Sequence, residues 1–358
     1  MKNKNDSLVI KDVVVLDNYE APADKSIIYF ICNLLKDNIM NEMSCIEIPI
    51  SRPTYFNRVI TTCISDITPS WKIEYSQITS IKAIARNLKA FVLNVINHQL
   101  PPVHFTQYVF DARDNSPNNI AHLMMQTIPF CLQARKLVGN DIAFIFTKMA
   151  PPFAQLLHEF NIKPIICNRK INASIIKISG TRGHAAHNIV KVFDCPTTTF
   201  LPNIYQHCQF VSGLIGMQKI FISRRGNRGL VNQQAVEALL IARGYQVVFM
   251  EDYSLAVQLG IASEANEIVA IHGASMGMLV LRKSIQSLIE ICPPNVYQEY
   301  FPVGLGNRVK KYIQIMNSYD FNVAFNDYSV IAHFKSQPFS ANINQLNHAL
   351  NMTHNDNS

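Results

Sequence analysis

The sequence predicts an α/β protein of two doubly wound lobes, and three observations point there. Between residues 219 and 292, short apolar runs alternate with stretches of helical periodicity, the pattern of parallel strands joined by crossover helices. The first half repeats the alternation in looser form. The composition, 48% hydrophobic and 16% charged over 358 residues, is that of a globular chain; it excludes a disordered or coiled-coil protein.

The second half reads element by element. Residues 219–224 form a strand ending in polar residues. Residues 232–243 form a helix with Val236, Leu239 and Leu240 on one face and Gly244 closing it. A second strand spans 245–250 and a second helix 254–265, with Ser254 as its N-cap. A third strand at 267–271 precedes Gly273 and a helical stretch to about Lys283. A fourth strand at 287–292 is closed by Pro293-Pro294, and 312–316 is a fifth.

In the first half, strands are expected at 45–50, 108–111, 141–147, 165–167, 175–178 and 190–193. Helices are expected at 80–97 and 121–138, and His104, after two prolines, in a loop. The pattern weakens around 196–211. The lobes are therefore expected at 1–210 and 211–330, followed by a C-terminal helix and frayed tail at 331–358.

A net charge of +7 is too small to imply nucleic acid but suits phosphorylated or acidic ligands. No basic stripe with interleaved aromatics appears, so no nucleic-acid partner is expected. No apolar run approaches the roughly 20 residues of a bilayer span, and no apolar h-region follows the first lysines. The eight cysteines are scattered without CxxC, as buried thiols in a reducing compartment would be, so the expectation is a cytoplasmic protein. His184 and His187 lack a neighbouring third ligand, and no metal is expected. Absence of GxGxxG after any strand argues against a dinucleotide oxidoreductase.

Ligands of open α/β sheets bind beyond the carboxyl ends of strands. The first strand there ends at Ser223-Arg224-Arg225-Gly226-Asn227-Arg228. Three arginine forks match phosphate oxygens, with a helix N-terminus expected behind them; the alternative is a solvated basic turn. The third strand ends at His272-Gly273-Ala274-Ser275, whose small residues leave the backbone open to an anion; the alternative is a tight turn with a core histidine. Glu251 and Glu290 are carboxylates placed for ribose hydroxyls or a base edge, although Glu290, inside a strand, equally reads as a buried structural partner.

The spacing of these residues resembles glycosyltransferase family 61. The resemblance runs through Ser223, Arg224, Arg228, Leu230 and Asn232, then Gly244, Glu251, Gln258 and Ala265. It continues through His272, Gly273 and Ala274 to Ile289, Glu290, Ile291 and Pro293. A fainter echo runs from Asn118 through His122 to Pro129, with Gln126 where the family has an acid and Met278 where it has an asparagine.

The resemblance implies two facing Rossmann-like lobes of GT-B type and an inverting transfer from a nucleotide-sugar donor, without metal or other cofactor. The acceptor is expected to be a glycan or lipid-linked glycan in surface polysaccharide synthesis, with peripheral contact at the inner membrane face. Donor binding falls to Arg224, Arg225, Arg228, Asn232, Glu251, His272, Gly273, Ala274, Ser275 and Glu290. No Asp-x-Asp stands at a strand end to chelate a divalent ion, so arginines and amides must offset the leaving charge. The general base is sought on the first lobe among His122, Asp111 and Asp114, with helix capping or core packing as the other reading of His122. A non-catalytic nucleotide-sugar binder or scaffold is the alternative, suggested by Gln126.

Overall fold

The computed structural model describes residues 99–113, 118–179, 217–294, 300–305, 308–316 and 337–354, with strands at 13–15, 27–32, 41–44 and 52–61. Asp114, His184, His187, the elements expected at 45–50, 80–97 and 190–193, and the boundary expected at 210 lie outside the described residues. The chain forms two compact units, each assembled from separate stretches. One comprises Met1–Glu20, Ser51–Leu123 and Thr127–Gly180; the other Ala21–Ile50, Met124–Gln126 and Thr181–Ser358.

In chain order the first strands are β1 (Val13–Val15), β2 (Ile27–Cys32), β3 (Asn41–Ser44), β4 (Arg52–Thr61) and β5 (Val103–Asp111). Then come β6 (Ile142–Phe146), β7 (Pro164–Ile166), β8 (Ile171–Ser179) and β9 (Lys219–Ser223). The last are β10 (Gln246–Phe249), β11 (Glu267–Ile271), β12 (Ile285–Cys292) and β13 (Val309–Met316). The helices are α1 (Ile128–Val138), α2 (Pro151–Glu159), α3 (Gln233–Ala242), α4 (Leu255–Glu264), α5 (Tyr300–Leu305) and α6 (Ile343–His354).

The first unit is built on a mixed sheet of order β1-β4-β8-β5-β6-β7. Strands β8, β5, β6 and β7 run parallel, whereas β4 is antiparallel to β8 and β1 to β4. Val109, Ala143, Ile145, Ile171, Ala173 and Ile175 form its buried core. Strand β5 begins earlier than expected because His104 pairs with Asn172 of β8, which puts His104 in the sheet rather than in a loop.

The expected helix at 121–138 is continuous but not uniform. A short turn of α-helix at Ile120–His122 leads into a π-helical turn at Leu123–Thr127 and then into α1. Pro129 has no amide to give the Met125 carbonyl, and the wider turn accommodates that gap, with the Ile128 amide bonding the Leu123 carbonyl.

The second unit is built on a sheet of order β10-β9-β11-β12-β13-β2-β3, parallel except for the edge strand β3. Strands β9, β11 and β12 are apolar almost throughout because both faces are covered. On one face Phe221, Val269, Ile271, Ile289, Ile291, Ile313 and Ile315 pack against Val236 and Leu240 of α3 and Leu346, Ala349 and Leu350 of α6. Each fully buried Leu or Ile there contributes about 1.5–3 kcal/mol. Gly244 closes α3 at φ 82°, where the Gly244 and Tyr245 amides take the Ile241 and Leu240 carbonyls. Ser254 caps α4 by accepting from the Val257 amide at 3.4 Å.

Two expectations change. The stretch after Gly273 is a 3-10 helix, Ala274–Leu281, buried continuously from Met276 onward; it has no polar stripe with which to form an ordinary amphipathic α-helix. Strand β2, which reads in sequence only as an apolar run, pairs in parallel with β13 and adds an N-terminal segment to this sheet. Among the described residues no helix is long and apolar enough to cross a membrane.

The strand order matters for the site. After β9 the chain moves to β10 on one side, then returns to β11 on the other side and continues outward to β12. Adjacent strands β9 and β11 therefore send their connections in opposite directions. Their carboxyl ends flank a topological switch point, where open α/β sheets bind ligands.

Candidate active site

Arg224 leaves the end of β9 and lies across the end of β11, where its Nη1 donates to the His272 carbonyl at 3.3 Å. Gly273 makes this possible. Its φ of 177° is ordinary extended backbone, but a Cβ there would strike the Arg224 guanidinium. Burial first, and then the like charge of Arg228, lower the Arg224 guanidinium from its usual range, with Glu251 opposing. Among the described residues no carboxylate forms an ion pair with Arg224. A half-buried cation beside a second cation gains most from an anion placed against both. Gly273→Ala is therefore expected to weaken pyrophosphate binding in the same direction as loss of Arg224, with an unchanged melting temperature. Wild-type affinity in calorimetry would separate the guanidinium's position from anion binding.

The other two arginines are exposed. Arg225 stacks on the Phe249 ring at 3.8 Å and pairs with Asp252, Nη2 to Oδ2 at 2.9 Å. The Arg225 amide donates to Glu251 at 3.2 Å. The mutual hydrogen bond raises Arg225 and lowers Asp252 from their usual ranges, consistent in direction, but both are solvated and the pair adds little stability. Arg225, Glu251 and Asp252 thus tie the loop after β9 to the loop after β10. Arg228 ends a 3-10 turn, Gly226–Arg228, and α3 starts at Gln233, one residue after the start expected at 232, with Asn232 as its N-cap. Asn232 spends its amide group on backbone, donating to the Ala341 carbonyl at 2.8 Å and accepting from the Ala341 amide at 2.9 Å.

Gly273 caps the following 3-10 helix with no side-chain bond, and Ala274 and Ser275 are half-buried on its first turn. His272 is 8% exposed and Glu290 is 0% exposed. Their side chains meet at 2.6 Å, His272 Nδ1 to Glu290 Oε1. The other carboxylate oxygen accepts from the Tyr312 hydroxyl at 2.7 Å and from Gln314 Nε2 at 2.6 Å. Burial, then the Glu290 charge and hydrogen bond, push the Tyr312 phenol well above its ordinary value, so it stays a donor. Cys292 is also near: one ligand-type atom from each of His272, Glu290 and Cys292 lies within 4.8 Å of the others. The His272–Glu290 separation is that of a hydrogen bond, and the carboxylate already has three partners. Of the two readings of Glu290, the buried partner is the one its surroundings describe.

In the first unit, Asn119 caps the helix that carries His122, its side chain accepting from the Ala121 amide at 3.0 Å. Asn118 ties that start to the loop after β6, donating to the Lys148 carbonyl and accepting from the Ala150 amide. His122 is half-buried, and its carbonyl accepts from the Thr127 hydroxyl at 3.3 Å. Gln126 is buried within the π-helical turn. Asp111 is committed: Arg113 Nε and Nη2 clasp its two oxygens at 2.8 and 2.7 Å, with the Arg113 side chain fully buried. Arg113 also donates to the Arg169 carbonyl.

Residues 120–288 match the family model described as Glycosyltransferase 61. The chain carries a glycosyltransferase 61 domain. It is a glycosyltransferase, with sugar donor and acceptor as its substrates. No curated protein matches the chain. The domain starts at the helical turn that carries His122 and ends within β12, so it includes both strand ends of the switch point. Sequence reasoning missed Arg113, Tyr312 and Gln314. The legible signal for the last two was polar residues at alternate positions, 312 and 314, between the apolar Ile313, Ile315 and Met316, matching Glu290 in its neighbour.

Proposed function

We propose that this glycosyltransferase 61 domain performs an inverting, metal-independent transfer from a nucleotide-sugar donor to a glycan or lipid-linked acceptor in surface polysaccharide synthesis, on a GT-B architecture. The observation that carries the reading is the arrangement of Arg224 over Gly273 at the β9/β11 switch point. A diphosphate there would meet Arg224, Arg228 and the open backbone at Gly273–Ser275. As the anomeric carbon–oxygen bond breaks, negative charge grows on the departing diphosphate, and fixed cations stabilise it without reorganising. The acceptor oxygen bonds to the anomeric carbon from the opposite side, and its proton passes to a general base. His122 is our candidate, with Asp114 next; Asp111, both of whose oxygens are clasped by Arg113, is the weakest of the three.

The supply of arginines and the missing Asp-x-Asp favour transfer without a divalent ion. Transfer from a panel of nucleotide sugars should proceed equally in excess EDTA and in added magnesium or manganese; strict dependence on either ion rejects metal independence. Binding of a nucleotide sugar with neither transfer nor hydrolysis would favour the scaffold alternative. A net charge of +7 also suits a peripheral position on anionic lipid at the cytoplasmic membrane face. High salt should then release the protein from membranes, and resistance to both salt and carbonate would refute peripheral attachment.

A further inference from the structure

The Glu290 cluster is a polar group set inside an apolar sheet. On β12, Leu288 and Ile289 precede Glu290 and Ile291 follows it, all fully buried. A buried carboxylate is costly unless its lone pairs are filled. The sheet register fills them. Gln314 stands directly opposite Glu290 on β13, and Tyr312 stands opposite Leu288, two residues back on the same face. On the other side Ala270 is opposite Glu290, so His272, two residues on, reaches back diagonally from the end of β11. Three side chains, one from the end of β11 and two from β13, thus supply one donor each to a single carboxylate.

The geometry of His272 is fixed from several directions. Its amide donates to the Ile291 carbonyl at 3.0 Å, its carbonyl accepts from Arg224, and its ring packs edge-on against Phe301 at 5.5 Å. Nδ1 is spent on Glu290. Nε2 makes no hydrogen bond among the described residues. A diphosphate oxygen only accepts hydrogen bonds, and the neutral ring has a single N–H, so the ring serves the anion as the imidazolium, which donates Nδ1–H to Glu290 and Nε2–H to the diphosphate together.

We propose that Glu290, Tyr312 and Gln314 are positioning residues of the donor site: they hold the His272 ring by Nδ1 and so direct Nε2 to the diphosphate beside Arg224. Glu290 then acts on the donor only through His272. This rests on the donor-site reading above, and it reassigns Glu290 from the ribose or base edge to the orientation of the imidazole.

A double-mutant cycle tests the assignment, with inorganic pyrophosphate as the probe and calorimetry as the readout. The variants are His272→Ala, Glu290→Ala and the double substitution. Each single change is expected to weaken pyrophosphate binding about 10-fold or more, the scale of a hydrogen bond to a charged group. The double variant should bind no worse than His272→Ala alone, and Glu290→Gln, whose amide oxygen can still accept from Nδ1–H, should recover part of the loss. Additive losses would mean that Glu290 meets the anion itself or acts elsewhere, and would overturn the proposal, as would wild-type affinity in Glu290→Ala.

Should Glu290→Ala fail to fold, Tyr312→Phe removes one supporting donor and takes its place in the same cycle. Nitrogen-15 NMR of the ligand-free protein supplies an independent reading. A hydrogen-bonded proton on His272 Nδ1 is expected in the wild type and should shift in Glu290→Gln or Tyr312→Phe; a proton absent from Nδ1 overturns the inference. If the wild type does not bind pyrophosphate at all, the donor-site reading fails, whatever the NMR result.

Discussion

His122→Ala is expected to cut turnover by about 10²–10⁴-fold, the usual contribution of a general base. Donor affinity and melting temperature should hardly move. His122 lies on a short helical turn whose start is capped by the Asn119 side chain, which accepts from the backbone amides of Ala121 and His122. Removing the ring therefore leaves the cap intact. An inverting transfer must place the acceptor's proton somewhere, and within the described part of the first unit the rival Asp111 is engaged through both oxygens by Arg113. Single-turnover kinetics with saturating donor would read the chemical step directly. A folded variant with near-normal turnover passes the role to Asp114. A variant that does not fold shows that the imidazole is a core residue.

Arg224→Ala is expected to weaken nucleotide-sugar binding by about 1.5–3 kcal/mol, roughly 10- to 150-fold. Two things make the effect large. The guanidinium is half-buried, so its charge is poorly screened, and it is held at the His272 carbonyl in a space that Gly273 leaves open. Arg224→Lys should recover only part of the loss, because an ammonium keeps the charge but not the fork of donors. Arg225→Ala is the natural comparison. Arg225 is exposed and already paired with Asp252, so its removal should loosen the loop far more than it weakens binding. Unchanged affinity in Arg224→Ala would remove the diphosphate from this strand end.

The parallel core of the second unit was legible because strands buried on both faces are written as unbroken apolar runs, and the helices between them carry visible caps at Ser254 and Gly244. Strands β2 and β4 were not, since a short apolar run far from its partner carries no mark of the strand it will join. The same limit governed the site. Arg224 and His272 could be read from strand ends alone. That they flank a switch point depends on strand order, which periodicity does not encode. The roles of Asn232 and Glu290 were hidden for a related reason. Asn232 bonds the backbone of Ala341, over a hundred positions away, and Glu290 takes its donors from β11 and β13 through a register that exists only in the folded sheet. The π-helical turn after His122 had a local cause in Pro129, but a proline inside a helical pattern announces a disturbance without saying which kind.

The place of β2 has a consequence for how the protein is made. Residues 27–32 leave the ribosome well before their partner on the parallel side, β13, at 309–316. The earlier segment must wait until residues 33–308 have been made before that pairing can form, and such long-range closure is slow and prone to side reactions. Until β2 arrives, β13 presents a bare edge with Ile313 and Ile315 on it, a template for pairing with a neighbouring chain. A fragment begun after residue 180 would keep every residue of the proposed donor site and still carry that open edge permanently. Its insolubility would then report on a missing N-terminal strand, not on the integrity of the nucleotide-binding loops.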